Sequence, residues 1–212
     1  MKITIIILIL LSVISCSEIN DNNTISTIEK TNDSVFDINN QSTKSSLKDC
    51  FLQVPDSTVN GIIIVNAKSL LSVLGKETLL NDEIKYRYLT KDKKEYLNLS
   101  IYPGSFNNQV SVFEVGYSKQ ILKEDNITES TIFQTEKGIK LGISLQEITK
   151  QLGKCYKILN STDSLLKIIY KIETPQKTKD DFLNRYNMPV YYAEYNFINN
   201  KLNRFEFGFE YP

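Results

Sequence analysis

An internal repeat in the second part of the chain constrains the fold more than any other feature. Residues 107–117 align with residues 199–209, and both segments begin with Asn-Asn and carry Phe-Glu and Gly at matching later positions. Units that repeat in this way cannot bury their apolar faces alone and share a core with their neighbours. We therefore predict two units, at residues 47–125 and 126–212.

A short helix is predicted near the start of each unit. In the second unit Ser144 is a good N-cap, Glu147 completes a capping box, and Gly153 is placed to end the helix in the αL conformation. In the first unit Asn66 takes the cap position and Gly75 the terminating position. Helices of about eight residues are marginal in isolation, so each must pack against something larger.

Apolar and polar residues alternate after each helix, which predicts strands with one buried face. These strands are expected at residues 95–102, 112–117 and 204–211, with others near 84–89, 165–172 and 190–197. The predicted fold class is α+β: two tandem repeats, each with short helices packed on one face of an antiparallel β-meander. Matching positions of the two units are separated by more residues of sequence at the last strand than at the helix. This difference predicts an insertion within residues 174–187 of the second unit.

The polar face of these strands carries the candidate partner-binding residues. Tyr provides a large contact area with few rotatable bonds and is favoured in binding surfaces. Glu114 and Glu206 occupy equivalent positions, and paired carboxylates can perform acid/base catalysis. We interpret them instead as solvated residues that were duplicated with the repeat. The candidate face comprises Tyr96, Tyr102, Glu114, Tyr192, Glu194, Glu206 and Glu210.

Composition argues against several kinds of function. The chain has no His, which removes Ser-His-Asp and Cys-His catalysis and His-ligated zinc. Its 3 Cys are too few for an all-cysteine zinc site or an iron-sulfur cluster. Basic and acidic residues balance at 25 each, so no basic field favours nucleic acid. We expect no cofactor, no metal, no nucleic-acid partner and no enzymatic activity.

The first residues of the chain have the sequence pattern of a secretory leader peptide. Residues 3–14 are almost entirely apolar, too short for a membrane span, which needs about 20 residues. Residues 13–16, Val-Ile-Ser-Cys, resemble the bacterial lipobox. The resemblance implies a signal peptide at residues 1–15 and acyl chains such as palmitate on Cys16, which would anchor the protein to a membrane. We expect a location in the cell envelope, with the outer membrane favoured over the inner one.

The segment that follows, residues 16–46, is predicted to be a disordered tether because it is rich in Asn, Ser and Thr and poor in apolar residues. Cys50 and Cys155 are then the two remaining thiols, an even number in an oxidising compartment. They form either a disulfide or two buried reduced thiols, and the sequence leaves both open.

Residues 138–148, Gly-Ile-Lys-Leu-Gly-Ile-Ser-Leu-Gln-Glu-Ile, followed by Leu152-Gly153, resemble the repeat of the β-lactamase inhibitory protein-like superfamily. The outer-membrane assembly lipoproteins of the SmpA/OmlA family carry a similar motif. The resemblance extends over residues 59–212 as two repeats. It implies helices packed on the convex side of an antiparallel sheet whose concave side binds protein.

Three functions are compatible with these features. The first is a lipid-anchored envelope protein that binds a protein partner through the open sheet face without catalysis. The second is an inhibitor or immunity protein against a toxin or a hydrolase. The third is a hydrolase that uses Glu and Tyr in place of His.

Overall fold

A computed structural model describes residues 54–74, 85–101, 109–173 and 181–210. All of them belong to one compact unit, Gln41–Pro212. The predicted signal peptide, the tether, Cys16, Cys50, Gly75 and Tyr102 lie outside the described residues.

The described chain is a mixed α+β structure made mostly of sheet, with ten strands and three helices. The first part contains β1 (Thr58–Val59), β2 (Ile62–Ile63), α1 (Ala67–Leu74), β3 (Lys85–Leu89), β4 (Glu95–Ile101), β5 (Val110–Tyr117) and β6 (Asn126–Ile127). The second part contains α2 (Leu145–Leu152), β7 (Lys157–Ser161), β8 (Leu165–Glu173), α3 (Phe182–Tyr186), β9 (Val190–Ile198) and β10 (Lys201–Glu210).

Eight of these strands form one sheet in the order β6-β3-β4-β5-β10-β9-β8-β7. The pairs are antiparallel except for β3 and β6, whose short pairing is parallel, so the expectation of a purely antiparallel sheet is wrong at this edge. In the middle of the sheet β5 pairs with β10, which joins the two parts of the chain. Strands β1 and β2 form a separate hairpin.

All six strands predicted from the sequence are present, as β3, β4, β5, β8, β9 and β10. Most of their inward-facing apolar residues are buried, as for Leu97 and Leu99 on β4 and Phe205 and Phe207 on β10. The sequence did not predict β1, β2, β6, β7 or α3. Strand β7 escapes detection because most of its residues are exposed and its register shifts between Ile158 and Asn160, which breaks the two-residue period. Helix α3 lies within the predicted insertion.

Both predicted helices are present. Ser144 is the N-cap of α2 and forms a complete capping box with Glu147. At the start of α1, the side chain of Asn66 accepts a hydrogen bond from Ser69 N at 3.1 Å. Gly153 ends α2 with φ 82 and ψ −171, so its φ is positive as expected, but the predicted αL conformation is wrong.

A single cluster of apolar side chains forms the core. It combines inward-facing residues of the large sheet with residues from all three helices, among them Leu70, Ile148, Leu152 and Phe182. The helices therefore pack on the apolar face of the sheet, and the opposite face is left for polar residues. No helix in the described ranges is long and apolar enough to cross a membrane.

Candidate functional site on the open face of the sheet

The open face is the polar side of the five strands β4, β5, β8, β9 and β10. Strand register places Glu206 directly opposite Glu114 on one side and Glu194 on the other. Asn98 on β4 lies opposite Glu114, so the row continues across four strands. Like charges directly opposite each other in a sheet repel, and such a row needs a compensating cation.

Arg204 provides that cation. Its Nε donates to Glu114 Oε1 at 2.8 Å, and its Nη2 donates to Glu206 Oε2. Its Nη1 lies 3.8 Å from Glu194 Oε1. The carboxylate side chains are only 16% exposed at Glu114 and 23% at Glu206, which places the ion pairs in partly desolvated surroundings. Guanidinium groups suit such sites because one plane of donors can serve several carboxylates.

A tyrosine supports each of the two central carboxylates. Tyr96 Oη donates to Glu114 Oε1 at 2.6 Å, and Tyr192 Oη donates to Glu206 Oε1 at 2.7 Å. Each tyrosine lies directly opposite a glycine on the neighbouring strand, Gly116 for Tyr96 and Gly208 for Tyr192.

The two glycines leave space that a larger residue would fill. A Cβ added at Gly116 would lie 2.7 Å from Tyr96 Oη. At Gly208 it would lie 2.3 Å from the carbonyl oxygen of Ser111, which belongs to the backbone of β5. Gly208 therefore permits the close approach of β5 and β10, and Gly116 provides room for the tyrosine.

These contacts set the ionisation of the cluster. Burial raises the pKa of Glu114, but hydrogen bonds from Arg204 and Tyr96 and the positive charge of Arg204 outweigh it, and the pKa lies below its ordinary value. Burial and the hydrogen bond to Glu114 raise the pKa of Tyr96 to about 12. Burial and Glu206 likewise raise the pKa of Tyr192. At neutral pH Glu114 is thus an anion and both tyrosines are neutral donors.

The polar network continues toward both sides of the face. Lys167 Nζ pairs with Glu194 Oε1 at 2.8 Å, and Lys171 Nζ lies 3.0 Å from Glu173 and from Glu210. On the other side, the guanidinium of Arg87 lies 5.0 Å from the centre of the Tyr96 ring, a cation–π distance.

The paired carboxylates are poorly suited to general acid catalysis. A general acid needs a pKa raised toward the working pH, usually by an apolar pocket. Glu114 instead has a lowered pKa and shares a guanidinium with Glu206. The arrangement instead fixes charges and hydrogen-bonding groups in place across the sheet.

Six of the predicted candidate residues lie together on this face, and the seventh, Tyr102, lies outside the described residues. Sequence reasoning did not single out Arg204, Asn98 or Lys167. A signal for Arg204 was available, because it lies two positions before Glu206 and therefore shares its side of a strand. Cys155 is disulfide-bonded, and its pairing with Cys50 stays a prediction.

Within the described ranges, no group of three or more Cys, Asp or Glu side chains is arranged to hold a metal ion. Comparison of the chain with protein-family models, with curated proteins and with solved structures finds no match.

Proposed function

We propose that this is a bacterial envelope protein that is anchored by a lipid on Cys16 and binds a protein partner through the open face of its sheet. The observation that carries the proposal is the ordered network on that face. Tyr96, Tyr192, Arg204 and three glutamates are held by one another across four strands.

Such a network favours binding because its side chains are already fixed. Ordering a long side chain at an interface costs about 0.5–1.5 kcal/mol, and cross-strand contacts remove part of that cost in advance. Tyr and Arg are also the residue types that contribute most to protein interfaces. Charges of both signs are present on the face, so we expect a partner surface of mixed charge.

We also propose that the fold arose by duplication of one helix-and-three-strand unit. The sheet order supports this, since β5, β4 and β3 extend from the centre on one side and β10, β9 and β8 on the other. In each half a tyrosine lies opposite a glycine, and the tyrosine hydroxyl donates a hydrogen bond to one glutamate of the central pair. The two central glutamates lie opposite each other, where a pseudo-two-fold axis would pass. Membership of the β-lactamase inhibitory protein-like superfamily is part of this proposal.

Crosslinking in cell-envelope extracts tests the binding face. Lys167→Glu reverses a charge on the open face, and Lys150→Glu makes the same change on α2, on the opposite side of the sheet. We expect the first variant to lose at least about tenfold in captured partner and the second to retain it. Equal capture of the partner by the two variants would rule out the open face as the binding surface. A toxin or hydrolase as the captured protein would identify an inhibitor or immunity protein.

Cell fractionation tests the anchor. Replacing Cys16 by Ser removes the thiol to which the lipid would be attached, so the variant should appear in the soluble fraction. If the variant stays with membranes after a high-salt wash, the anchoring proposal is wrong.

A further inference from the structure

Asp56 is a buried acid that the proposed binding face does not use. Its side chain is fully buried, and neither carboxyl oxygen has a hydrogen-bond partner among the described residues. Lys137 Nζ lies 3.6 Å from Asp56 Oδ1, beyond hydrogen-bond distance. A buried carboxylate with so little compensation is costly to keep ionised.

The chain around Asp56 is fastened to two other parts of the domain. Tyr191 Oη on β9 donates to the backbone oxygen of Asp56 at 2.9 Å. Lys137 Nζ donates to the backbone oxygen of Pro55 at 3.1 Å. The carboxylate of Glu136 accepts hydrogen bonds from the backbone and hydroxyl groups of Ser57 and Thr58. Asp56 therefore lies where residues 54–59 attach to the sheet.

A second buried polar group lies beside it. The hydroxyl of Tyr195 on β9 is fully buried without a hydrogen-bond partner in the described structure. Burial raises the pKa of Tyr195, and the nearby charge of Asp56 raises it further. The Tyr195 hydroxyl has its own hydrogen, so it can act as a donor toward Asp56 whether or not the carboxyl is ionised. Protonation of Asp56 would remove the buried negative charge, which is the costly feature of this arrangement.

The charged and titratable groups that face Asp56 come from two elements. Lys137 and Glu136 lie in the turn before α2, and Tyr191 and Tyr195 lie on β9. Burial raises the pKa of Asp56 to about 6, and the charge of Glu136 adds to this effect. The charge of Lys137 and polar contacts with Thr135 and Lys137 oppose it without cancelling it.

We propose that Asp56 is a proton-linked latch, which takes up a proton when residues 54–59 dock against β9 and holds this segment more tightly as the pH falls below neutral. In the sequence this segment follows the predicted tether, so the latch would respond to acidification of the envelope.

The direction of the effect follows from linkage. Because the pKa of Asp56 is higher in the folded protein than in the unfolded chain, the folded state binds more protons between the two pKa values. The stability gained by protonation is complete below the unfolded pKa of about 4 and is lost as the pH rises through about 6.

Unfolding of the purified full-length protein between pH 7.5 and pH 5 tests the latch. The folding equilibrium constant of the wild type should increase about tenfold on acidification relative to that of Asp56→Asn, whose side chain carries no titrating proton. Asp92→Asn is the matched control, because Asp92 is exposed and its pKa is lowered to about 2 by hydrogen bonds with Lys94 and Thr90. Glu95 is another carboxyl with a raised pKa in the described part of the chain, and Glu95→Gln should keep the pH dependence that Asp56→Asn loses. The same pH dependence in Asp56→Asn and in the wild type would overturn the proposal.

A direct titration covers the case in which Asp56→Asn does not fold. The carboxyl carbon of Asp56 in the wild-type protein should titrate near pH 6 by NMR, and amide hydrogen exchange in residues 54–59 should slow over the same range. A titration near pH 4, or exchange that does not change between pH 7.5 and pH 5 after correction for the intrinsic rate, would overturn it as well. Neither outcome depends on the partner-binding face.

Discussion

Arg204 holds together two carboxylates that would otherwise repel each other at the centre of the sheet. Glu114 and Glu206 are directly opposite, and both are hydrogen-bonded to the same guanidinium. Removing one member of a partly buried ion network leaves the other charges uncompensated, which costs more than the intact pair contributes. The residue that joins the two strands is therefore more important for stability than either glutamate alone.

Arg204→Met is expected to lower the free energy of unfolding at pH 7 by about 1–3 kcal/mol. In the wild type the lowered pKa of Glu114 contributes stability above the ordinary carboxyl pKa, and this is lost as the pH falls through the folded value. Without Arg204 the pKa of Glu114 should rise, so the deficit should shrink between pH 7 and pH 5. Urea denaturation at the two pH values measures both effects.

Lys91→Met is the control for this prediction. Lys91 pairs with Glu129 at 2.7 Å, but both side chains are largely exposed, at 63% and 90%. Exposed pairs contribute little, so a much smaller loss of stability than in Arg204→Met is expected. Equal losses in the two variants would show that the central network is no stronger than a surface ion pair.

Single residues differ in how far the sequence predicts their role. The positions of Tyr96, Tyr192 and the glutamates on one face follow from the two-residue period of a strand. The burial of Asp56 does not, because it depends on contacts with Lys137 and Tyr191, which lie far away in the sequence.

At the scale of the element, α2 is defined by its cap. Ser144 Oγ accepts a hydrogen bond from Glu147 N at 3.3 Å, and Glu147 Oε2 accepts one from Ser144 N at 2.7 Å. Ser144→Ala should cost about 1 kcal/mol of domain stability by thermal or urea unfolding. Ser72→Ala in α1 removes only a bond from Ser72 Oγ to the backbone oxygen of Ser69, and a loss as large as that of Ser144→Ala would contradict the capping argument.

The central strand pair depends on Gly208. An added Cβ would lie 2.3 Å from the Ser111 carbonyl oxygen and 2.8 Å from Val112 Cα, both backbone atoms that cannot rotate away. Gly208→Ala should therefore separate β5 from β10 and cost about 1–3 kcal/mol, the range for overpacking. Faster hydrogen exchange of the amides in β5, measured by NMR, would locate the damage.

Gly116→Ala provides the comparison. Its added Cβ would meet the ring of Tyr96, which can turn aside at the expense of its hydrogen bond to Glu114. We expect a smaller loss of stability than for Gly208→Ala. If Gly116→Ala were the more damaging change, backbone approach would not be what limits this strand pair.

Elements with strong local patterns could be predicted, and those without could not. Helix α2 has Ser144 as its N-cap and Gly153 at its end, Asn66 caps the start of α1, and β4, β5, β8, β9 and β10 alternate over most of their length. Helix α3 has no side-chain cap hydrogen bond from Asp181 and is only five residues long. Its two buried residues, Phe182 and Leu183, fix it to the core, so it depends on tertiary packing.

At the scale of the whole molecule, the sheet is continuous through a pairing that the sequence did not reveal. Periodicity identifies β5 and β10 as strands with one apolar face, but it does not state which strand lies beside which. The pairing of Phe207 with Phe113 and of Glu206 with Glu114 joins residues that are far apart in the chain. Only the three-dimensional arrangement places Arg204 between a carboxylate of the first part of the chain, Glu114, and one of the second part, Glu206.

The disulfide at Cys155 is a further long-range constraint, located between the end of α2 and β7. The sequence offers Cys50 as its partner, and a closed loop of about 100 residues would stabilise the fold by up to roughly 4–5 kcal/mol on the chain-entropy model. In a Cys16→Ser background, thiol titration of the denatured, unreduced protein should detect no free thiol. After reduction it should detect both remaining cysteines.

Adding Cys50→Ser to that background tests the pairing itself. It should expose one titratable thiol at Cys155 and lower the urea midpoint as much as reduction does, because both treatments open the same loop. Peptide mapping without reductant should find the two cysteine peptides joined in the parent and separate in the variant. A free thiol at Cys155 in the unreduced parent, or a midpoint unchanged by Cys50→Ser, would show that this pair does not close the loop.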